Sequence, residues 1–313
     1  MKTTLLKFWG GLAWVGIFFV GGALLVGGCV SEDTAGRGSL DLGVGGGKAL
    51  QEGFPYEEGG TQYAFVDGWS LEFSRYVVVV GGIRLREPRG GGVVAEFPGP
   101  VALDLRAEGG SSKDLEELQG VPAKRLDIEF SFLQATADAE NRNVDADAWD
   151  RMVRDGLSYL IEGQATRDGT TIEFSFGLSV AARYYDCING EDGTVGIAVE
   201  SNKTTGAFLY AHALHLFWDT LAAGDEDLRF DPFAAVAGED GIVTEEELAN
   251  QDLTDLRGAD GEPLRDAQGN RVFYNDGGLL PPESQDLETF LNYAARAGVH
   301  FNGVGLCKVE SLE

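Results

Sequence analysis

Short runs in which polar and apolar residues alternate recur through the middle of this chain. Residues 126–132 place four large apolar side chains at every second position, and residues 69–73 place three in the same way. Asp168 and Gly169 separate two further runs, and Asp-Gly strongly favours a tight turn between strands. Many short strands joined by glycine-rich turns predict an antiparallel β-sandwich over residues 63–213.

The last hundred residues have a different pattern, which is typical of helices packed against such a sandwich. Residues 285–297 carry apolar side chains at the spacing of an amphipathic helix, and Gly298 can end that helix. An earlier helix is indicated over residues 145–157, where Asp145 or Asp147 can act as its N-cap. We therefore predict a helical segment over residues 214–313, packed on the sandwich.

Residues 1–28 are predicted to be an export signal. Lys2 and Lys7 precede an apolar run over residues 8–26, and small residues then stand directly before Cys29. This order predicts a lipoprotein signal peptide with lipidation at Cys29. The alternative is an uncleaved membrane anchor, because the apolar run is long enough to span a bilayer.

Lipid chains on Cys29 would hold the mature protein on a membrane without a spanning helix. Val30 follows the cysteine, and the absence of aspartate there favours the outer membrane by resemblance to known lipoproteins. Residues 29–62 are rich in glycine and acid, so we predict a flexible tether. A phosphate-binding loop at residues 43–48 is excluded, because we expect neither a preceding apolar strand nor a following amphipathic helix.

The charge balance excludes one class of partner. Lysine and arginine number 24 against 51 acidic residues, which gives a formal net charge of −27. Nucleic-acid binding needs a basic surface, so we expect no nucleic-acid partner and a membrane contact only through the lipid anchor. The acidity keeps an exported protein soluble and suits weak binding of divalent cations.

Cys187 and Cys307 remain when Cys29 is assigned to lipid. An even pair of cysteines in an oxidising compartment predicts a disulfide between them. The alternative is that both thiolates are metal ligands.

A segment that begins at Asp240 has the pattern of the second half of an EF-hand loop. Asp240 takes position five, Thr244 position nine and Glu247 the bidentate position twelve. Positions one and three fall on Val236 and Gly238, which have no side-chain oxygen. We therefore predict an EF-hand-like helix–loop–helix whose calcium binding is weak, with a plain hairpin of helices as the alternative.

The chain has three histidines, and they are the candidate metal ligands. His212 and His215 lie three residues apart in an apolar segment, and His300 precedes Cys307. Neutral imidazole nitrogen binds zinc and copper, so we predict one zinc or copper ion bound by the three histidines. Asp219 is predicted as the fourth ligand or as an acceptor behind the ligands.

Other roles for the histidines stay open. On a helix His212 and His215 share a face, but on a straight strand they point to opposite faces. No Gly-x-Ser-x-Gly or His-Glu-x-x-His motif is present. We therefore predict a non-catalytic metal-binding protein, with a structural or adhesion module and a zinc-dependent hydrolase as alternatives.

Five motifs spread over residues 65–307 form a set. They are Asp-Gly-Trp at 67–69, Tyr-Tyr-Asp-Cys at 184–187, His-x-x-His-Leu-Phe-x-Asp at 212–219, Asp-Gly-x-Val-Thr-x-x-Glu-Leu at 240–248 and His-Phe-x-Gly-x-Gly-x-Cys at 300–307. In this set the chain resembles a group of uncharacterised Gram-negative bacterial lipoproteins with a β-sandwich and a degenerate EF-hand-like segment. The resemblance implies a lipoprotein of the cell envelope that faces the periplasm or the surface, and it implies no known activity. The chain departs from that group where the first acidic ligands of the calcium loop are missing.

Overall fold

The structure, a computed structural model, describes residues 36–107, 112–222 and 226–312. It is mainly β, as the alternating pattern predicts. None of the described helices is both long and apolar enough to cross a membrane. Cys29 and the rest of residues 1–35 lie outside the described residues, so the signal peptide and the lipidation stay predictions.

The strands follow one another along the whole described chain. In order they are β1 (Arg37–Gly45), β2 (Tyr56–Glu58), β3 (Thr61–Tyr63), β4 (Ser70–Arg86), β5 (Val93–Phe97), β6 (Val101–Asp104), β7 (Ser112–Pro122), β8 (Arg125–Phe132), β9 (Glu140–Asn141), β10 (Tyr159–Arg167), β11 (Thr170–Leu178), β12 (Ala182–Tyr185), β13 (Ile197–Ala198), β14 (Thr204–Ala211), β15 (Ile242–Val243), β16 (Val299–Phe301) and β17 (Lys308–Ser311). The helices are α1 (Lys48–Glu52), α2 (Ala146–Asp155), α3 (Asp231–Ala234), α4 (Glu245–Leu248) and α5 (Leu287–Ala297), and a 3-10 helix spans Ala213–Phe217.

The strands form two main sheets. The larger has eleven strands, with the path β15-β11-β10-β4-β8-β12-β17 and four short strands at its sides. The smaller has four strands in the order β16-β14-β1-β7, and β2 pairs with β3 apart from both sheets. One core of buried side chains draws on both sheets, with Leu42 from β1 and Phe130 from β8 among its members.

The smaller sheet corrects the prediction of purely antiparallel pairing. β1 and β14 run parallel, with Leu42 opposite Ala207. A parallel pair needs a long connection between its strands, and here most of the larger sheet lies in that connection. The local turn signals on which the prediction rested carry no information about such a distant pair.

The predicted tether over residues 29–62 is wrong for the part that the structure describes. β1 lies between β14 and β7, and its side chains Leu40, Leu42 and Val44 are buried. Gly43 belongs in the strand because a Cβ there would lie 2.6 Å from the ring of Phe208. The high glycine content therefore reflects close packing here. The reasons given against a phosphate-binding loop also fail, since β1 precedes Gly46 and α1 follows it.

Two predictions that rest on a few adjacent residues, a helix cap and a tight turn, are confirmed. The Asp145 carboxylate accepts a hydrogen bond from the Ala148 N–H at the start of α2, as predicted. Asp168 and Gly169 both have positive φ, at 52° and 83°, in the tight turn that joins β10 to β11.

The predicted helical segment over residues 214–313 is helical only in part. α5 is its one long helix within the described residues, and residues 249–286 form turns, isolated bridges and irregular chain. This stretch includes an eight-residue repeat that the sequence reasoning missed, Leu-Arg-Gly-Ala-Asp-Gly-Glu-Pro at 256–263 and Leu-Arg-Asp-Ala-Gln-Gly-Asn-Arg at 264–271. In both copies the arginine donates a hydrogen bond to the glycine carbonyl four residues later, at 3.0 and 2.7 Å.

Candidate metal centre

Three neighbouring elements carry the histidines. β14 and β16 are hydrogen-bonded partners, and this pairing sets His300 opposite Tyr210 and brings His212, just after β14, close to it. His212 also precedes the 3-10 helix that contains His215. A 3-10 helix has three residues per turn, so side chains three residues apart lie on one side of it. Gly298 permits this arrangement, because a Cβ there would lie 2.9 Å from the Cβ of His215.

The three imidazole rings are adjacent. Their centroids are 5.0 Å apart for His212 and His300, 5.1 Å for His215 and His300, and 6.1 Å for His212 and His215. Imidazoles that share one tetrahedral zinc have centroids roughly 5 Å apart, because each donor nitrogen lies about 2.1 Å from the ion. We name His212, His215 and His300 the histidine cluster.

The predicted disulfide between Cys187 and Cys307 is confirmed. It fixes the end of the turn that follows His300, because the loop before Cys307 packs on the loop after Cys187. The Ile188 N–H, for example, donates a hydrogen bond to the Leu306 carbonyl at 2.8 Å. The thiolate alternative is excluded for the oxidised protein, since a disulfide leaves no thiolate to bind a metal.

The three rings have few hydrogen-bond partners, and the backbone of Gly303 is the partner of both His212 and His300. His300 is 9% exposed, and its Nδ1 is buried without any partner. The His215 side chain makes no hydrogen bond within the described part of the chain. His212 Nε2 lies 3.0 Å from the Gly303 carbonyl, so this nitrogen donates and the Nδ1 of His212 keeps the free lone pair.

All three rings are neutral at neutral pH. Burial, with a smaller contribution from the other two histidines, lowers the pKa of His215 to about 3. Burial and His212 lower the pKa of His300 to about 4, and burial also lowers the pKa of His212. Neutral imidazole is the form that binds a metal ion. The Trp218 ring, with its centroid 3.8 Å from that of His215, adds apolar surroundings.

The donor atoms do not yet converge. Among the described residues, no group of three or more histidine, cysteine, aspartate or glutamate side chains is placed to hold a metal ion as it stands. Binding of a shared ion therefore requires rotation of the rings about their side-chain bonds, while the spacing of the rings already suits it.

The structure does not support Asp219 as a metal ligand. Its carboxylate accepts hydrogen bonds from Arg229 Nε at 2.9 Å and from the Asp227 N–H at 3.0 Å. Arg229 is only 5% exposed, so this is a buried ion pair that Asp219 is needed to neutralise. The prediction that Asp219 joins the histidines is therefore corrected.

Two cavities lie beside the histidine cluster. One of about 380 Å³ and one of about 260 Å³ are both lined by His215, Trp218, Glu226 and His300. The smaller also contains Glu58, whose charge raises the pKa of His212 against the effect of burial. Sequence reasoning missed both glutamates, because Glu58 lies in the supposed tether and Glu226 in an acidic loop without a motif.

The calcium-loop candidates have structural partners. The Glu247 carboxylate accepts from the Thr244 N–H at 2.9 Å, which forms a capping box at the start of α4. Asp240 Oδ1 accepts from the Ile242 N–H at 3.1 Å, and Gly241 makes the turn with φ at 73°. The short helices α3 and α4 flank this turn, and the EF-hand-like assignment stays a prediction.

Comparisons with protein families, with curated proteins and with solved structures find no match for this chain. The chemistry of its own residues therefore indicates its function, and the histidine cluster is its strongest candidate site.

Proposed function

We propose that this protein binds one transition-metal ion, zinc or copper, through His212, His215 and His300, and that it is not an enzyme. The observation that carries the proposal is the buried Nδ1 of His300, which has no partner although two other neutral imidazoles lie beside it. Glu58 and Glu226 contribute negative charge near the ion.

A purely structural cluster would be expected to satisfy its ring nitrogens with backbone groups. Buried polar atoms are nearly always hydrogen-bonded, and each one left without a partner costs about 1–3 kcal/mol. A bound ion would accept the lone pairs of His215 and His300 and remove that cost. Nitrogen ligands beside carboxylates suit zinc, and copper(II) binds such sites more tightly than zinc does.

The test is metal content of the mature protein without residues 1–29. After reconstitution with zinc or copper and removal of excess metal, we expect about one equivalent, and a large loss of affinity in His300→Ala. Asp240→Asn is the matched control, because it removes an acidic side chain outside the histidine cluster and should keep the metal. Less than about one-tenth of an equivalent, unchanged by His300→Ala, would contradict the proposal.

A structural or adhesion module is the second candidate. The hydrogen bond from His212 to the Gly303 carbonyl favours it, because it uses a ring nitrogen for packing. In that case metal would leave the melting temperature unchanged, whereas a ligand that binds only the folded state raises it.

We also propose that the protein is an envelope lipoprotein, lipidated at Cys29, in which the two sheets stack as a β-sandwich. The order of charged, apolar and small residues before Cys29 supports the anchor, and the disulfide suits an oxidising compartment. The core shared by both sheets supports the sandwich, and an EF-hand-like turn at Asp240 would bind calcium weakly. Cys29→Ser should abolish both acyl-chain labelling and recovery in the membrane fraction. Unchanged labelling would contradict the lipid anchor.

A further inference from the structure

We infer that the larger cavity beside the histidine cluster binds a small aromatic molecule that coordinates the metal ion through one donor group. This inference rests on the proposed metal site. Three histidines fill three positions of a four-coordinate ion and leave the fourth open. The cavity supplies a place from which a ligand reaches that position.

The two cavities differ in their chemistry. The smaller is bordered by Lys48, Tyr56, Glu58 and Tyr63, all of which offer polar groups. The larger, of about 380 Å³, falls in the size range of small-molecule sites. Apart from the two histidines its walls are mostly apolar, and these apolar residues are Trp218, Leu221, Ala222, Ala294, Ala297 and Leu306.

The class of ligand follows from these walls. Within the described residues, Glu226 and the histidines are the ionisable side chains that line the larger cavity, and Thr220 is the other polar one. A ligand with several negative charges would meet Glu226 and the strongly acidic protein around it. A flat apolar body can instead stack on Trp218 and contact the leucines, while a single donor group reaches the ion.

Ala297 provides a way to close the cavity without disturbing the core. It lines the cavity but is exposed at the end of α5, so a larger side chain there has room outside the core. Ala297→Phe should narrow the cavity and leave the histidines unchanged. Ala267→Phe is the matched control, because Ala267 is also exposed and does not line the cavity.

The experiment is calorimetric titration of zinc-loaded mature protein with two hydroxamic acids that share a metal-binding group. Benzohydroxamic acid carries a phenyl ring and acetohydroxamic acid a methyl group. We expect the phenyl compound to bind at least about tenfold more tightly, because the ring removes apolar surface from water. Ala297→Phe should abolish this preference while metal content and acetohydroxamic acid affinity persist, and Ala267→Phe should retain it.

The outcomes separate this inference from the proposed function. A protein that loads zinc but binds both compounds equally would overturn the inference and leave the metal site in place. Equal binding of benzohydroxamic acid with and without zinc would overturn the coordination that we infer. A protein that takes up no zinc would overturn the metal site and, with it, this inference.

Discussion

Two groups of polar side chains inside the protein satisfy their hydrogen bonds in different ways. In the first, which we name the carboxylate network, Asp67, Asp219 and Asp231 lie with Arg167 and Arg229. Asp231 Oδ1 accepts from Arg167 at 2.6 Å, and Arg229 Nε donates to Asp219 at 2.9 Å. Asp219 and Asp231 are each paired with an arginine, whereas Asp67 accepts hydrogen bonds from the backbone N–H groups of Phe230 and Asp231 and its Oδ1 has no partner. The two ion pairs help to hold the C-terminal segment on the larger sheet.

The histidine cluster has the opposite character. It contains three bases, and none of them makes an ion pair within the described part of the chain. Most buried polar atoms in proteins have a hydrogen-bond partner. A cluster of buried ring nitrogens without partners is therefore a candidate ligand-binding site. The contrast therefore separates residues that stabilise the fold from residues that are available for binding.

The largest expected effect comes from breaking the carboxylate network. Arg229→Met leaves Asp219 buried without its partner, and we expect the free energy of unfolding to fall by about 3 kcal/mol. Urea denaturation of the mature, disulfide-bonded protein measures it. Arg257→Met removes an exposed pair with Asp255 and should change the value by less than about 0.5 kcal/mol. Equal losses of unfolding free energy in the two variants would show that the buried ion pair stabilises the protein no more than the exposed one.

A change of pH should have an intermediate effect on the free energy of unfolding. The histidine cluster and the carboxylate network should change it in opposite directions. Unfolded histidine takes up a proton near pH 6.5, whereas the pKa of folded His300 is about 4. Below pH 6.5 the unfolded state therefore takes up a proton that folded His300 does not, which lowers the free energy of unfolding. For His300 alone this loss should be about 2 kcal/mol between pH 6.5 and 5.

The titration of Asp67 should change the free energy of unfolding in the opposite direction. Burial raises its pKa from 3.8 to about 6 against hydrogen bonds from the backbone N–H groups of Asp231 and Phe230. Its carboxyl therefore binds a proton in the folded state before the unfolded state does, so protonation adds stability as pH falls from about 6 to about 4. Urea titrations from pH 7 to 4 should show a steeper loss of stability in Asp67→Asn and a shallower loss in His300→Leu. The same slope in all three proteins would contradict both assignments.

The smallest expected effect is that of His300→Leu on metal-free protein at pH 7.5. The substitution removes the unpartnered Nδ1 and keeps a buried apolar side chain, so we expect the free energy of unfolding to rise by about 1 kcal/mol. The same variant should lose the increase in melting temperature that zinc gives the wild type. A fall of more than about 2 kcal/mol would indicate a structural partner for His300 and remove the contrast with the carboxylate network.

The sequence predicted those features that adjacent residues determine. Alternation gave the β content, Asp168 and Gly169 gave the hairpin, and Asp145 gave the cap of α2. The Cys187–Cys307 disulfide followed from the number of cysteines and the expected compartment. The pairing of β14 with β16, which brings His300 to the other histidines, was not predicted.

The sequence did not predict features that depend on contacts between residues far apart in the chain. Nothing near Asp219 shows that its carboxylate is neutralised by Arg229, because that pair forms only when the loop between them folds back. β1 was taken for a tether because its glycines look flexible in isolation, while Gly43 in fact makes room for Phe208, which lies on β14. Glu58 was missed in the same way, because it lies in the supposed tether and lines the smaller cavity beside the histidine cluster only in the folded chain.

The position of β1 has a consequence for the timing of folding. β1 is made early, but its parallel partner β14 begins at Thr204 and β16 ends at Phe301. In an exported chain β1 crosses the membrane first, and it cannot pair with β14 until most of the chain has followed. During that interval Leu40, Leu42 and Val44 have no completed sheet to cover them, so a newly made chain needs protection from association until its second half has emerged.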